Sequence, residues 1–143
     1  MKHFTSRILM ISPDKFRNNE LTISDNSFQS RGLENISISD NAISEFERLK
    51  ESISKRGVDV HAISDDSEFD TPDAVFPNNW ISFHHPNRAV LYPMSALNRR
   101  FERKSSALKK LSDQGIKINI IKDYSHFEKD DKYLEGTGSI VLD

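Results

Sequence analysis

A helix, a glycine and an alternating strand occur twice in this chain, and no other feature limits its fold so tightly. Leu49…Gly57-Val58-x-Val60 and Leu108…Gly115-Ile116-x-Ile118 carry the same order of signals, with the two glycines 58 positions apart. In the first copy Ile43, Phe46, Leu49 and Ile53 recur at three- and four-residue steps, which predicts a helix over 41–56 with one apolar stripe. Ser39 or Asp40 can cap its start by accepting an orphan N–H. Lys55 and Arg56 suit the negative end of its dipole, and Gly57 suits a left-handed exit. Residues 58–63 then alternate as a half-buried strand. The second copy predicts a helix over 100–113, with Phe101, Ala107, Leu108 and Leu111 as a weaker apolar face, and a strand over 116–121. Units of this length need neighbours to bury their faces. About two units, with no capping element after the last, read as a chain cut short.

The remaining elements fit around these copies. Residues 7–12 read as a buried strand stopped by Pro13. Residues 14–39 are polar, lack helical period and read as an irregular excursion anchored by Phe16 and Phe28. A strand over 80–84, a turn at His85-Pro86-Asn87-Arg88 and a returning strand over 89–92 make a hairpin. Residues 123–132 read as charged and solvated, and 134–142 as a closing strand.

Composition excludes several chemistries. The 143 residues contain no cysteine, which rules out disulfides, thiolate metal sites and a cysteine nucleophile within them. The net charge of -2 gives no overall pull toward nucleic acid or membrane. No apolar run approaches the roughly 18 residues of a membrane span, and Met1-Lys2-His3-Phe4-Thr5-Ser6-Arg7 lacks the pattern of a signal peptide, so a cytoplasmic location is expected. Adjacent His84 and His85 would point to opposite faces of a strand, so no metal is expected; with no phosphate loop or dinucleotide fingerprint in the sequence, no other cofactor is expected either.

Three clusters of polar residues are candidates for a site. Asp73, Asn78 and Asn79 place a carboxylate beside two amides, which can both donate and accept. Pro77-Asn78-Asn79 is equally an ordinary turn. Glu135 precedes Gly136 and Gly138, whose missing side chains allow close backbone approach to a ligand, or a bulge. Asp73 and Glu135 each follow a copy of the repeat and head an apolar stretch, so pseudo-symmetry would turn both toward one axis. The basic run from Asn98 to Lys104 reads mostly as a solvated helix face, with Arg99 and Arg100 as exceptions.

These residues resemble a known family. Asp73-Ala-Val-Phe-Pro-Asn-Asn-Trp-Ile-Ser-Phe, Tyr92-Pro-Met…Asn98-Arg-Arg-Phe-Glu-Arg and Leu134-Glu-Gly-Thr-Gly-Ser are similar to the citrulline-utilization hydrolases of the amidinotransferase, or guanidine-modifying, superfamily. Asn19-Glu20-x-Thr22-x-x-x-Asn26-x-Phe28-Gln29 resembles that family's first loop. A more distant similarity, through Asp73-Ala-Val-Phe and the Arg99-Arg100 pair, runs to dimethylarginine dimethylaminohydrolase. The resemblance implies an α/β fold: five ββαβ modules around a pseudo-fivefold axis, the α/β propeller or pentein. On that reading residues 1–143 are the N-terminal part of one such domain, an incomplete propeller of roughly two modules.

The resemblance also implies a chemistry. A cysteine thiolate attacks the guanidinium or ureido carbon, a histidine shuttles protons, and the covalent adduct is hydrolysed. Glu135 would be the catalytic acid partner of that histidine. Asp73, Asn78 and Asn79 would line the substrate pocket, and Arg99 or Arg100 would hold the substrate α-carboxylate. Asn79 stands where arginine-acting relatives tend to carry Asp, which favours a neutral ureido ligand such as citrulline. Leu97 replaces a proline usual in that loop. None of the five histidines matches the family position, and without a thiolate there is no covalent step. The expectation is therefore a chain inactive on its own, completed by a separately encoded C-terminal half or prone to self-association. The alternative is a non-catalytic binding module for an arginine- or citrulline-like ligand. Neither nucleic acid nor membrane is an expected partner.

Overall fold

The structure, a computed structural model, describes residues 5–22, 35–104 and 106–140. Its elements in order are β1 (Arg7–Ser12), α1 (Asn35–Ser54), β2 (Asp59–Ser64), a 3-10 turn at Pro77–Asn79, β3 (Ile81–His84) and β4 (Arg88–Leu91). Then follow α2 (Leu97–Arg100), a 3-10 turn at Phe101–Lys104, α3 (Ala107–Asp113), β5 (Asn119–Asp123), a 3-10 segment at Ser125–Asp130 and α4 (Gly136–Ser139). Asn26, Phe28 and Gln29 of the first loop, and Val141, Leu142 and Asp143 at the end, lie outside the described residues.

The repeat is present as two parallel crossovers. β1 and β2 pair in parallel, from Arg7 opposite Asp59 to Ser12 opposite Ser64, with α1 as the connection. Parallel neighbours need a connection this long, because a tight turn joins only antiparallel strands. In the second copy β4 pairs in parallel with β5 and antiparallel with β3, giving the order β3-β4-β5, with a register shift between Ala89 and Val90. Gly57 and Gly115 both leave their helices at positive φ, +82° and +84°. That conformation costs a side-chain-bearing residue about 1–2 kcal/mol, and it turns the chain from helix to strand.

Two apolar clusters form the core. Ile11, Ile63, Ala74, Ala107 and Leu111 make one, and Trp80, Ile81, Ala89 and Met94 the other. Leu108 packs against both and joins them. On α1 only Phe46 of the predicted stripe is buried, while Ile43 and Leu49 are exposed. Phe46 and Leu49 line a groove of about 700 Å³ between α1, β1 and the 75–83 segment, with Leu9, Ile11, Phe16, Phe76 and Phe83 among the other lining residues.

Several sequence expectations are corrected here. α1 starts at Asn35, so Ser39 and Asp40 lie inside the helix and cannot be its caps. A nucleated helix extends cheaply, which carries it into a stretch whose Ser and Asn content suggested a loop. The single helix expected over 100–113 is three pieces: α2, a 3-10 turn and α3. β5 lies at Asn119–Asp123 instead of 116–121, and its residues are exposed; Ile116 and Ile118 instead reach the two clusters from the preceding loop. The closing strand over 134–142 is, among the described residues, a helical turn at Gly136–Ser139. Two glycines in four residues weaken any strand, and Gly136 is pressed against Asn78. The 125–130 segment is not merely solvated. Its Glu128 accepts from the Met94 N–H at 2.8 Å and pairs with Arg103 at 2.8 Å. Among the described residues no helix is long and apolar enough to cross a membrane.

Candidate functional site

Local sequence sets the frame of the site. Pro77 fixes its own φ and starts the 3-10 turn Pro77–Asn79, which lifts Asn79 toward the 135 segment before Trp80 enters the core. Glu135 sits in extended backbone immediately before α4. Gly136 is there because nothing larger fits: a Cβ on it would lie 2.2 Å from the Asn78 carbonyl oxygen and 3.1 Å from that of Asn79. Real Cβ atoms do not approach so closely. The glycine therefore brings the Glu135 carboxylate within reach of the Asn79 amide, which donates to its Oε2 at 3.3 Å. The Ser95 N–H reaches the other oxygen at 3.5 Å.

Arg99 is the hub of the arrangement. It is buried in the short α2 helix. Its Nε and Nη2 donate to Glu102 Oε1 and Oε2 at 2.9 and 3.3 Å, a two-pronged fork. Its Nη1 donates to Glu135 Oε2 at 3.5 Å, and Nη2 also meets the Phe76 carbonyl at 3.4 Å. Asp73 Oδ2 lies 3.9 Å from Nε. Asp73 is itself tied down: the fully buried Asn19 donates to its Oδ2 at 2.6 Å, and Asn98 donates back to Asn19 at 2.9 Å. The first loop is thereby stitched to α2 through residues far apart in sequence.

Charge at this spot is unbalanced. Three carboxylates, Asp73, Glu102 and Glu135, surround one guanidinium. Burial pushes Glu102 up to about 7; the Arg99 hydrogen bond and charge oppose this, and the Asp73 and Glu135 charges add to it. For Arg99 burial pulls the pKa down, but the Glu102 bond and the three carboxylate charges outweigh it, and the result lies above the ordinary value. The two shifts pull the pair in opposite senses. The fork geometry is that of an ion pair, so Arg99 stays charged and Glu102 is the group that takes up a proton when the cluster is short of positive charge.

The residues singled out from sequence distribute unevenly. Asp73, Asn79, Arg99 and Glu135 come together around one guanidinium. Asn78 is exposed, with its side chain 3.4 Å from that of Asn79. Arg100 points elsewhere: its Nε and Nη2 donate to the Met94 and Ser95 carbonyls at 2.9 and 3.0 Å, and it sits 5.5 Å over the Tyr133 ring. Glu102, Asn19 and Asn98 were not singled out as site residues. Glu102 stands three positions after Arg99 in α2 and its continuation, a spacing that pairs opposite charges on one helical face, and that was the available signal. Among the described residues no group of three His, Cys, Asp or Glu is disposed to hold a metal ion.

Known proteins resemble this chain at the level of family and fold. The family described as N,N dimethylarginine dimethylhydrolase, eukaryotic, matches residues 12–143. Among solved structures, unliganded AgrE is similar with a TM-score of 0.63 at 21% identity, over 92% of this chain and 17% of that one. ArgZ, an arginine dihydrolase from the ornithine-ammonia cycle in Cyanobacteria, gives 0.55 at 17% identity, over 92% and 15%. A dimethylarginine dimethylaminohydrolase variant, an adduct with S-methyl-L-thiocitrulline, gives 0.54 at 16% identity, over 82% and 42%. At these identities the likeness is one of fold, and the chain spans less than half the length of each. No curated protein matches.

Proposed function

Because this chain belongs to the N,N-dimethylarginine dimethylhydrolase family, we propose that its Arg99 cluster forms part of the wall of a pocket for an arginine- or citrulline-type ligand. The reaction class is hydrolysis at the guanidino or ureido carbon. The observation that carries this reading is the convergence on Glu135 Oε2 of both the Asn79 amide and the Arg99 guanidinium. Two motifs thus supply groups to the carboxylate of a third. Glu135 is the acid of the reaction, with one oxygen oriented by Asn79. Asp73 lines the same wall from behind Arg99, and Asn78 sits at its exposed rim. The fold is part of a five-module α/β propeller in this reading, with the wall facing the central channel.

Between the two arginines, Arg100 is the one suited to a ligand α-carboxylate. Arg99 is already forked onto Glu102, whereas Arg100 is held mainly by neutral carbonyls, with Glu128 3.9 Å away. The ligand's charge separates two versions of the proposal. Asn79, an amide, favours a neutral ureido group. The surplus of carboxylates around Arg99 favours a cationic guanidinium.

These 143 residues hold no cysteine, so they do not carry out a covalent thiolate step themselves. What they contribute in this reading is ligand binding and the Glu135 acid, as in one half of a split enzyme or a binding module. Calorimetric titration of the purified protein with L-citrulline and with L-arginine tests the pocket. Binding of one of them, lost in Glu135→Gln and Asn79→Ala, is expected, with no ammonia released. Absence of binding to both refutes the pocket, and ammonia release refutes the inactivity.

A further inference from the structure

We infer that Glu102 is a positioning residue: through the Arg99 fork it sets where Glu135 presents its carboxylate. Glu102 is almost fully buried, at 2% exposure, and touches no open surface where a ligand could reach it. It fixes both Nε and Nη2 of Arg99. A guanidinium is planar and rigid, so fixing two of its nitrogens fixes the third. The third, Nη1, is the one that meets Glu135. Asn79 and the Ser95 N–H meet the same carboxylate, so both report its position without touching Glu102.

The charged groups that face Glu102 are Arg99, Asp73 and Glu135. When Glu102 is ionised, the fork has two charge-assisted arms and Arg99 is held back from Glu135. When Glu102 takes a proton, one arm weakens, and Arg99 leans its charge onto Glu135 and Asp73 instead. Burial places that change near neutral pH. Glu135 is therefore tuned from a group that never meets the ligand.

Two measurements test this, and the first is independent of any ligand. In 1H–15N spectra of the unmodified protein, the Asn79 side-chain amide and the Ser95 backbone amide shift together between pH 6 and 8, with a midpoint near 7. In Glu102→Gln, whose side chain fills the same space, both signals sit near their low-pH positions and no longer move with pH. Immobile signals across that range in the unmodified protein overturn the inference, even if the variant fails to fold. So does a folded variant whose signals still titrate. The second measurement rests on the pocket reading above. L-arginine affinity rises at least about fivefold through the same pH window, a typical size for coupling between two sites, and is flat in Glu102→Gln. If the spectra behave as expected and L-arginine does not bind, the pocket reading has failed and the positioning role stands.

Discussion

The two crossovers share a plan and differ in execution. The first connects β1 to β2 through one uninterrupted helix of 20 residues, and its strands pair in register without a break. The second connects β4 to β5 through α2, a 3-10 turn and α3, and its strands slip between Ala89 and Val90. The glycine exits are nearly superimposable in φ. What separates the copies is cargo. The broken half of the second connection holds Arg99 and Glu102, the buried pair whose guanidinium also meets Glu135. The first copy shows the scaffold unmodified, and the second shows what a buried ionic hub demands of it.

The strongest attempt to break that contrast removes the hub. Arg99→Met leaves Asp73, Glu102 and Glu135 crowded without a cation, and a loss of about 3–5 kcal/mol is expected from urea unfolding at neutral pH. Arg7 pairs with Asp59 in the first copy at 3.3 Å, but both are more than half exposed, so Arg7→Met should cost under about 1 kcal/mol. Equal losses would erase the distinction. Next come the helices. Leu111 of α3 is 3% exposed and Leu49 of α1 is 53% exposed. Leu111→Ala is expected to cost about 3 kcal/mol, and Leu49→Ala to stay within about 0.5 kcal/mol.

Acidity sharpens the comparison further. Glu102 holds its proton more tightly in the folded chain, near 7, than its ordinary value of 4.5. The folded state thus binds more protons between those values, and stability falls as pH rises. The contribution is complete below about 4.5 and is lost as pH passes about 7, with a slope of at most about 1.4 kcal/mol per pH unit. Unfolding midpoints from pH 4.5 to 7.5 should show this descent in the unmodified protein and not in Glu102→Gln. The smallest effect concerns the shared feature. No atom lies within 4 Å of a Cβ built on Gly57 or Gly115, so Gly57→Ala and Gly115→Ala carry only the backbone cost of positive φ. Matching losses of about 1 kcal/mol each are expected; a clear inequality would mean that the two exits are not equivalent.

Local pattern revealed what local physics determines. β1 follows from an apolar run stopped by Pro13, though only its Ile11 is buried; β2 and the hairpin of β3 and β4 follow alternation and turn residues, and both glycine exits follow from a helix period ending at Gly. The motifs carrying Asp73, Asn79, Arg99 and Glu135 were legible, and pseudo-symmetry turned Asp73 and Glu135 toward one axis, but the contact of Arg99 with Glu135 was not. Glu102 was hidden by its neighbours: Arg99-Arg100-Phe101-Glu102-Arg103-Lys104 has the composition of a wet helix face. Only tertiary contacts bury it. Asn19 meets Asp73 across 54 positions and Asn98 across 79, separations that no window of periodicity spans. Over 136–139 the expected late strand gives way to a helical turn for the opposite reason. Neighbouring apolar residues suggested extension, but Gly136 packs against the Pro77–Asn79 turn.

That packing has a consequence for how the chain tolerates change. In a saturation library sorted for correctly folded protein, position 136 would retain a single letter, because even one added methyl meets the main chain of the turn instead of a side chain that could swing aside. Tyr133 and Leu134, a few ångströms of backbone earlier and both exposed, would accept most of the alphabet. A sharp step from permissive to invariant over three codons would therefore locate the point where the two distant segments lock together.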